Sequence, residues 1–300
     1  RKRAEIRKII VETFEQYGFE PAETPIIEQE EFVKGENQSD EAVSDIFKLQ
    51  DKGKRNLALR YEFTFQLKRL MRNKKLPYKR YQIGEVFRDE PISANRFRQF
   101  TQCDIDSIGS NVKDDAEILA VSNEIMKKLG IKPIILINNR SLLNEILNDN
   151  KIKEKDKDQV LREIDKYDKI EEKEVRANLK KLGAEKVLDA LKKGEKYFSK
   201  FESYKEILEL MKYCKIYRIN ALFSPTLIRG LSYYNKNVFE IKTKGIKETI
   251  IAGGSYKFNN VQCTGVAFGL DRIAMLAKIS IEKEKYLVVS LGKDKEAIDL

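Results

Sequence analysis

The 300-residue chain contains no histidine. That absence removes Ser-His-Asp and Cys-His nucleophilic machinery and every His-based metal site, so any catalysis must rest on carboxylates, Arg, Lys, Tyr or the substrate's own groups. Cysteine is scarce: Cys103, Cys214 and Cys263 are far apart, odd in number and free of any CxxC pair. Neither a zinc site nor a disulfide framework is therefore supported, and a reducing compartment such as the cytoplasm is expected. No apolar run approaches the ~20 residues that span a bilayer, and the charged, periodic start RKRAEIRKIIVETFEQYG is not a signal peptide. There is no GxxxxGK[ST] loop and no GxGxxG, so a nucleotide would have to be held by something other than a P-loop or Rossmann frame.

What is present is charge. Charged residues make up 35% of the chain and the net charge is +10. Such an excess favours a polyanionic partner such as nucleic acid, although with acids abundant too it also fits a general lysine-rich bias of the source proteome.

Periodicity divides the chain. Ile6, Ile9, Ile10 and Phe14 predict an amphipathic helix over 1–17. Pro25, followed by Ile26 and Ile27, predicts an edge or interface strand. Two short strands around Asp51–Gly53 read as a hairpin. KRYQIGEVFRDE alternates as a strand, and PISANRFRQFTQCDIDSIG reads as a loop and a return strand. DDAEILAVSNEIMKKLG is a helix with an acidic start and Gly130 at its end; KPIILINN is a buried strand. From 141 to 212 Lys and Glu dominate, proline is absent and apolar residues recur every three or four positions, which predicts a helical insert. Its charges read first as a solvated surface, with nucleic-acid contact as the alternative. β-texture resumes in IYRINALF, SYYNKNVFEI, ETIIAGGSY and CTGVAFG, before LDRIAMLAK returns to helix. KYLVVSLGKDKEAI reads as a strand and the opening of a helix.

Four of these segments carry unusual polar groups. In LRYEFT, Arg60, Glu62 and Thr64 alternate and would share one face of an extended segment. In 84–106, Arg88, Arg96 and Arg98 are interleaved with Phe87, Phe97 and Phe100. Guanidinium forks grip phosphate and aromatic rings stack on bases. Gln102, Asp104 and Asp106 alternate along the return strand. In RGLSYYNKNVFE, Arg229 stands before a strand, and strict alternation would send Tyr233 and Tyr234 to opposite faces; strand distortion would instead place both rings near a ligand. In GVAFGLDRIAML, glycines precede a helix, and Arg272 sits in its first turn against the macrodipole, which suggests an anion or a stacked base there.

Taken in order, these segments resemble the three signature motifs of class II aminoacyl-tRNA synthetases, and more narrowly the histidyl-tRNA synthetase family. TPIIE resembles motif 1, FRDE…RFRQF motif 2 and GVAFGLDRI motif 3. RGLSYY and AGGSY are similar to the family signatures RGLDYY and AGGRY, and QCDID resembles the archaeal and eukaryotic form of the strand after motif 2. The resemblance covers essentially the whole chain.

It implies an α+β fold: an antiparallel sheet flanked by helices, with a helical insertion domain. The implied divisions are a catalytic domain over 1–140 and 213–284, the insert over 141–212, and the start of a C-terminal anticodon-binding domain over 285–300. Arg88 would bind the ATP α-phosphate and the substrate carboxylate, and Arg229 would sit on that phosphate. Glu90 and Arg96 would hold ATP, with Phe100 and Arg272 sandwiching adenine. Glu62, Phe63, Thr64, Gln102, Asp106, Tyr233, Tyr234 and Tyr256 would surround histidine. Pro25 would lie at a homodimer interface, the insert at the tRNA(His) acceptor arm, and Mg2+ would accompany ATP; no protein metal ligands are expected. The anticodon-binding module would be missing, cut away or carried by another chain.

The implied chemistry suits a protein without histidine. Attack of an ionised carboxylate on the α-phosphate needs no general base; it needs positioning and charge neutralisation. Ser232 for the usual Asp, Ser255 for the usual Arg, and RYEFT for RYDLT depart from the pattern and put pocket support around Tyr256 in doubt. The competing readings are a non-catalytic paralogue, either a histidine-binding regulatory subunit or a tRNA sensor, and a class II synthetase for threonine or proline.

Overall fold

The computed structural model describes residues 1–34, 45–71, 74–91, 97–229, 233–246, 248–280 and 289–298. In chain order these form α1 (Lys2–Gln16), β1 (Glu20–Pro21), β2 (Ile27–Gln29), α2 (Glu30–Lys34), β3 (Lys48–Gln50), β4 (Asn56–Leu59) and α3 (Leu67–Met71). Next come β5 (Tyr78–Phe87), β6 (Gln99–Ile108), α4 (Val112–Lys128) and β7 (Ile134–Asn139). Helices α5 (Arg140–Asp149), α6 (Glu154–Asp165), α7 (Glu172–Lys181), α8 (Glu185–Leu191), α9 (Glu195–Phe198) and α10 (Glu202–Ile216) follow. The chain returns through β8 (Ala221–Phe223), β9 (Tyr234–Lys242), β10 (Ile251–Phe258), β11 (Val261–Gly269), α11 (Leu270–Leu276) and α12 (Asp294–Ile298). The strand expected in KYLVVSL falls largely on 281–288, outside the described residues.

The main sheet runs β1-β5-β6-β11-β10-β9-β7-β8. Its six central strands are antiparallel throughout; parallel pairing occurs only at the margins, β1 with β5 and β7 with β8. The sheet is thus mixed at its edges rather than wholly antiparallel. Since side chains alternate across a strand, one face carries Cys103, Ile105, Val266, Phe268, Ile251, Phe239 and Ile137. These are buried in one continuous core with apolar residues of α1, α4, α5, α10 and α11. The other face holds a small cluster around Tyr234, Tyr256 and Val238 and is otherwise polar.

Local signals explain the main helix of this layer. Asn111 Oδ1 accepts from the Lys113 amide and Asp114 Oδ2 from the Asn111 amide, both at 2.9 Å, a reciprocal cap on α4. Gly130 takes φ +68° just beyond the helix, the left-handed stop that glycine makes cheap.

A three-stranded sheet, β2-β4-β3, flanks the main one. Arg60 fastens the two together. Its amide donates to Ile26 O at 2.9 Å, Nη1 to Thr24 O at 2.7 Å and Nε to Glu85 O at 2.6 Å, while its carbonyl accepts from the Phe87 amide at 3.0 Å. Gly84 makes room for this: a Cβ there would lie 2.6 Å from Arg60 Nη2. Pro25 leads into β2, where Ile26 and Ile27 are 44% and 53% exposed.

Candidate active site

Register assembles the site. Opposite residues of an antiparallel pair project on the same face, and β5, β6 and β11 align Arg80, Asp106 and Gly265, then Gln82, Asp104 and Ala267, then Gly84, Gln102 and Gly269. A row of acids and amides thus lies beside a row of residues with almost no side chain. The gap matters: a Cβ on Gly265 would meet Asp106 Oδ1 at 2.2 Å. Above these rows opens a cleft of about 580 Å³, within the ~300–1,000 Å³ of small-molecule sites.

One end of the cleft is acidic. Arg80, fully buried, places Nη2 2.6 Å from Asp106 Oδ2, out of line for a hydrogen bond, so this contact is an ion pair. Tyr256 Oη donates to Asp106 Oδ1 at 2.6 Å, and Gln102 Nε2 donates to Asp104 Oδ2 at 3.0 Å. Glu62 closes the end, accepting from the Phe65 amide at 2.5 Å. Burial raises the pKa of Glu62, Asp104 and Asp106, most strongly for Asp104, although Arg80 pulls both aspartates down. For Arg80, burial alone would lower the pKa, but Asp106 and Asp104 outweigh it. The rings of Tyr233 and Tyr234 lie 4.6 Å apart, and both line the cleft.

The other end is cationic and aromatic. The Arg88 guanidinium lies between the rings of Tyr61 and Phe100, 4.5 and 5.0 Å from their centroids, and donates to Gln102 Oε1 at 3.2 Å. Arg229 Nη1 is held by Glu240 Oε1 at 2.7 Å. The Nε atoms of Arg88 and Arg229 are buried with no hydrogen-bond partner among the described residues. Such groups suit an anionic ligand that would satisfy them. Arg272, in the first turn of α11, donates to Thr249 O at 2.7 Å and lines this end with Phe97, Phe100, Glu90 and Asp45.

The family model for histidyl-tRNA synthetase matches residues 1–273. The chain belongs to the histidyl-tRNA synthetase family. Among its relatives is histidine–tRNA ligase 1 of Bacillus cereus (strain ATCC 10987), 34% identical over 99% of this chain and 77% of the relative. Histidine–tRNA ligase of Wolinella succinogenes is 34% identical over 90% of this chain and 70% of its own length. The fold is also that of a histidyl-tRNA synthetase from Nostoc sp. PCC 7120: TM-score 0.78 at 24% identity, over 91% of this chain and 71% of that one. A Bacillus halodurans protein described as an ATP phosphoribosyltransferase regulatory subunit/histidyl-tRNA synthetase shares the fold, with TM-score 0.79 at 21% identity over 93% of this chain and 80% of that one.

Most residues singled out from sequence meet in the cleft of this family member: Glu62, Thr64, Arg88, Glu90, Phe100, Gln102, Asp106, Arg229, Tyr233, Tyr234, Tyr256 and Arg272 all line it. Arg96 and Ser232 lie outside the described residues. Three expectations fail on geometry. Arg60 does not share a face with Glu62 and Thr64, because β4 ends at Leu59 and the chain then turns, sending Arg60 backwards. Phe63 is buried against Arg60, its ring centroid 4.9 Å from the guanidinium, instead of lining the cleft. Arg98 faces solvent and pairs loosely with Asp89 at 3.6 Å. The two tyrosines are not split between faces, since β9 begins only at Tyr234 and Tyr233 lies in the preceding turn.

Sequence reasoning passed over Arg80, Tyr61 and Glu240. Arg80 had a signal, an arginine at an alternating position of a strand facing QCDID; Tyr61 and Glu240 act as partners of arginines and declare themselves only in three dimensions. Ser255 turns away from the cleft and donates to buried Asp115 on α4 at 2.8 Å, so this departure leaves the pocket face untouched.

Proposed function

We propose that this protein activates histidine with ATP, forming histidyl-adenylate, and transfers the histidyl group to tRNA(His). The observation that carries the reading is the placement of Arg88 and Arg229, each with a buried Nε that has no partner among the described residues, between an acidic pocket and an aromatic one. In this reading the acidic end receives the α-ammonium and imidazole of histidine. Arg88 steers the substrate carboxylate and, with Arg229, neutralises charge developing on the α-phosphate. Adenine lies between Phe100 and Arg272, and Glu90 and Arg96 hold the remainder of ATP. A carboxylate nucleophile is already ionised, so the step needs no titrating base. Magnesium would supply further charge compensation on the phosphates.

The reading extends to a homodimer formed through the Pro25 segment, supported by the exposed Ile26 and Ile27. It places the acceptor arm of tRNA(His) against the helical insert, taken as 141–212, an anticodon-binding domain beginning near 285 or on a separate chain, and the work in the cytoplasm. No helix among the described residues is long and apolar enough to cross a membrane.

A non-catalytic, histidine-binding paralogue is the reading to be separated, since one relative in fold bears a regulatory-subunit description. Histidine-dependent pyrophosphate exchange separates them. Exchange is expected with purified protein, and Arg229→Ala should abolish it while largely sparing histidine affinity. Histidine binding without exchange would sink the catalytic reading in favour of the regulatory one.

A further inference from the structure

The acidic end of the cleft carries more negative charge than an amino acid's ammonium group can balance. Glu62, Asp104 and Asp106 are 9%, 2% and 3% exposed, and among the described residues Arg80 is the cation enclosed with them. Tyr233, Tyr234 and Tyr256 face the same space as neutral phenols, while Arg88 and Arg229 belong to the other end, committed to Gln102 and Glu240. Set against three carboxylates, Arg80 and one α-ammonium leave one negative charge over.

Hydrogen bonding points the same way. Asp104 Oδ1 is buried with no partner among the described residues. On the floor of the pocket, Tyr256 Oη is committed to Asp106 and Gln102 Nε2 to Asp104. Arg80 is 0% exposed and does not reach the cleft. A neutral imidazole offers one N–H and requires one donor; an imidazolium offers two N–H groups and requires acceptors alone. On this floor Asp104 Oδ1 is a carboxylate acceptor left open among the described residues, placed to take a second ring N–H.

We propose that Asp104, counterbalanced by Arg80, makes the pocket select the imidazolium form of histidine. The inference rests on the histidine-activating reading above and names the ionic form of its substrate. Before the ligand enters, the crowded acid cluster retains a proton, because three carboxylates beside a single guanidinium cannot all ionise in a dry site. On entry the O–H bond of that carboxyl group breaks and an N–H bond forms on the ring. The arriving ammonium lets that carboxyl group ionise, and three carboxylates around the ring then favour its cationic form. The bound state is then neutral overall: three carboxylates, one guanidinium, one ammonium and one imidazolium. Phenylalanine- or glutamine-like side chains cannot accept this proton, which makes the charge a basis for discrimination as well as affinity. Asp104 acts here as a specificity-determining residue.

The test is ring-¹⁵N-labelled histidine bound to the full chain near pH 8, where the free ring is neutral. Two protonated ring nitrogens in the bound spectrum are expected; a bound ring with one bare nitrogen overturns the inference while leaving the histidine reading intact. Failure of histidine to bind at all overturns that parent reading and this one with it. Asp104→Asn should return the bound ring to its neutral form, and Asp104→Glu should restore the imidazolium. Independently of any variant, 1,2,4-triazole-3-alanine, whose ring is far less basic, should bind the unaltered protein at least about tenfold more weakly than histidine, the equivalent of one pKa unit. Equal affinity for the two would also overturn it.

Discussion

Glu240 holds Arg229 in place: the carboxylate Oε1 accepts from Nη1 at 2.7 Å, on a strand whose backbone is fixed on both sides by β7 and β10. Lys242 Nζ sits 3.3 Å from the other oxygen of Glu240, so the carboxylate is itself oriented. Glu240→Gln keeps the shape and removes the charge. It should lower the rate of pyrophosphate exchange about tenfold or more, the loss of one charge-assisted hydrogen bond of roughly 1.5–3 kcal/mol, with a smaller change in histidine affinity. A variant as active as the parent would show that Arg229 needs no positioning.

Gly265 is a position where a methyl group would strike the acidic end of the cleft. A Cβ there would lie 2.2 Å from Asp106 Oδ1 and 2.6 Å from Ile105 O, and the second is backbone that cannot swing aside. Gly265→Ala should lower stability by about 1–3 kcal/mol, as overpacking does, and push Asp106 away from Tyr256. Thermal unfolding and histidine titration check both halves; unchanged histidine affinity in a folded variant would contradict the assignment of Asp106 to the substrate.

Asp115 lies on the opposite face of the sheet, accepting from Asn237 Nδ2 at 2.7 Å and Ser255 Oγ at 2.8 Å. Burial raises its pKa from 3.8 to about 6 despite those bonds. The folded state therefore holds a proton there that the unfolded chain releases, so this residue favours folding below about pH 4 and its contribution is lost as pH rises through about 6. Two pKa units correspond to about 3 kcal/mol. Asp115→Asn should flatten the pH dependence of unfolding free energy across that interval, measured as the difference between variant and parent in urea titrations.

Ser255→Ala removes one donor to Asp115 without approaching the cleft. The expected loss is about 1 kcal/mol of stability, seen as a lowered denaturant midpoint, with the KM for histidine unchanged. A shift in KM would show that the departure from AGGRY does reach the substrate.

Much of this was legible in the chain. Long, strongly periodic elements such as α1, α4, β5 and β6 follow from alternation and capping, and the motif residues converge because strand alternation already put Gln102, Asp104 and Asp106 on one face. What was not legible depends on where alternation stops. Tyr233 precedes its strand and Arg60 follows its own, so a period-2 reading misdirects both by extending a strand past its end. Arg80 and Glu240 escaped for a different reason: each serves a partner, Asp106 and Arg229 respectively, and although Arg80 sat at an alternating strand position, neither pairing is fixed until register and the turn before β9 bring the groups together. Even the tolerance of Ser255 rests on its facing α4, which the strand pattern permits but does not by itself reveal.

Arg60 has a mechanical meaning. Its bonds to Thr24 and Ile26 on one side and to Glu85 and Phe87 on the other leave no slack between the exposed Pro25 edge and the residue immediately before Arg88. A load applied to that edge is delivered one peptide away from the guanidinium that faces the cleft. One side chain thus ties the Pro25 edge to the peptide that carries Arg88.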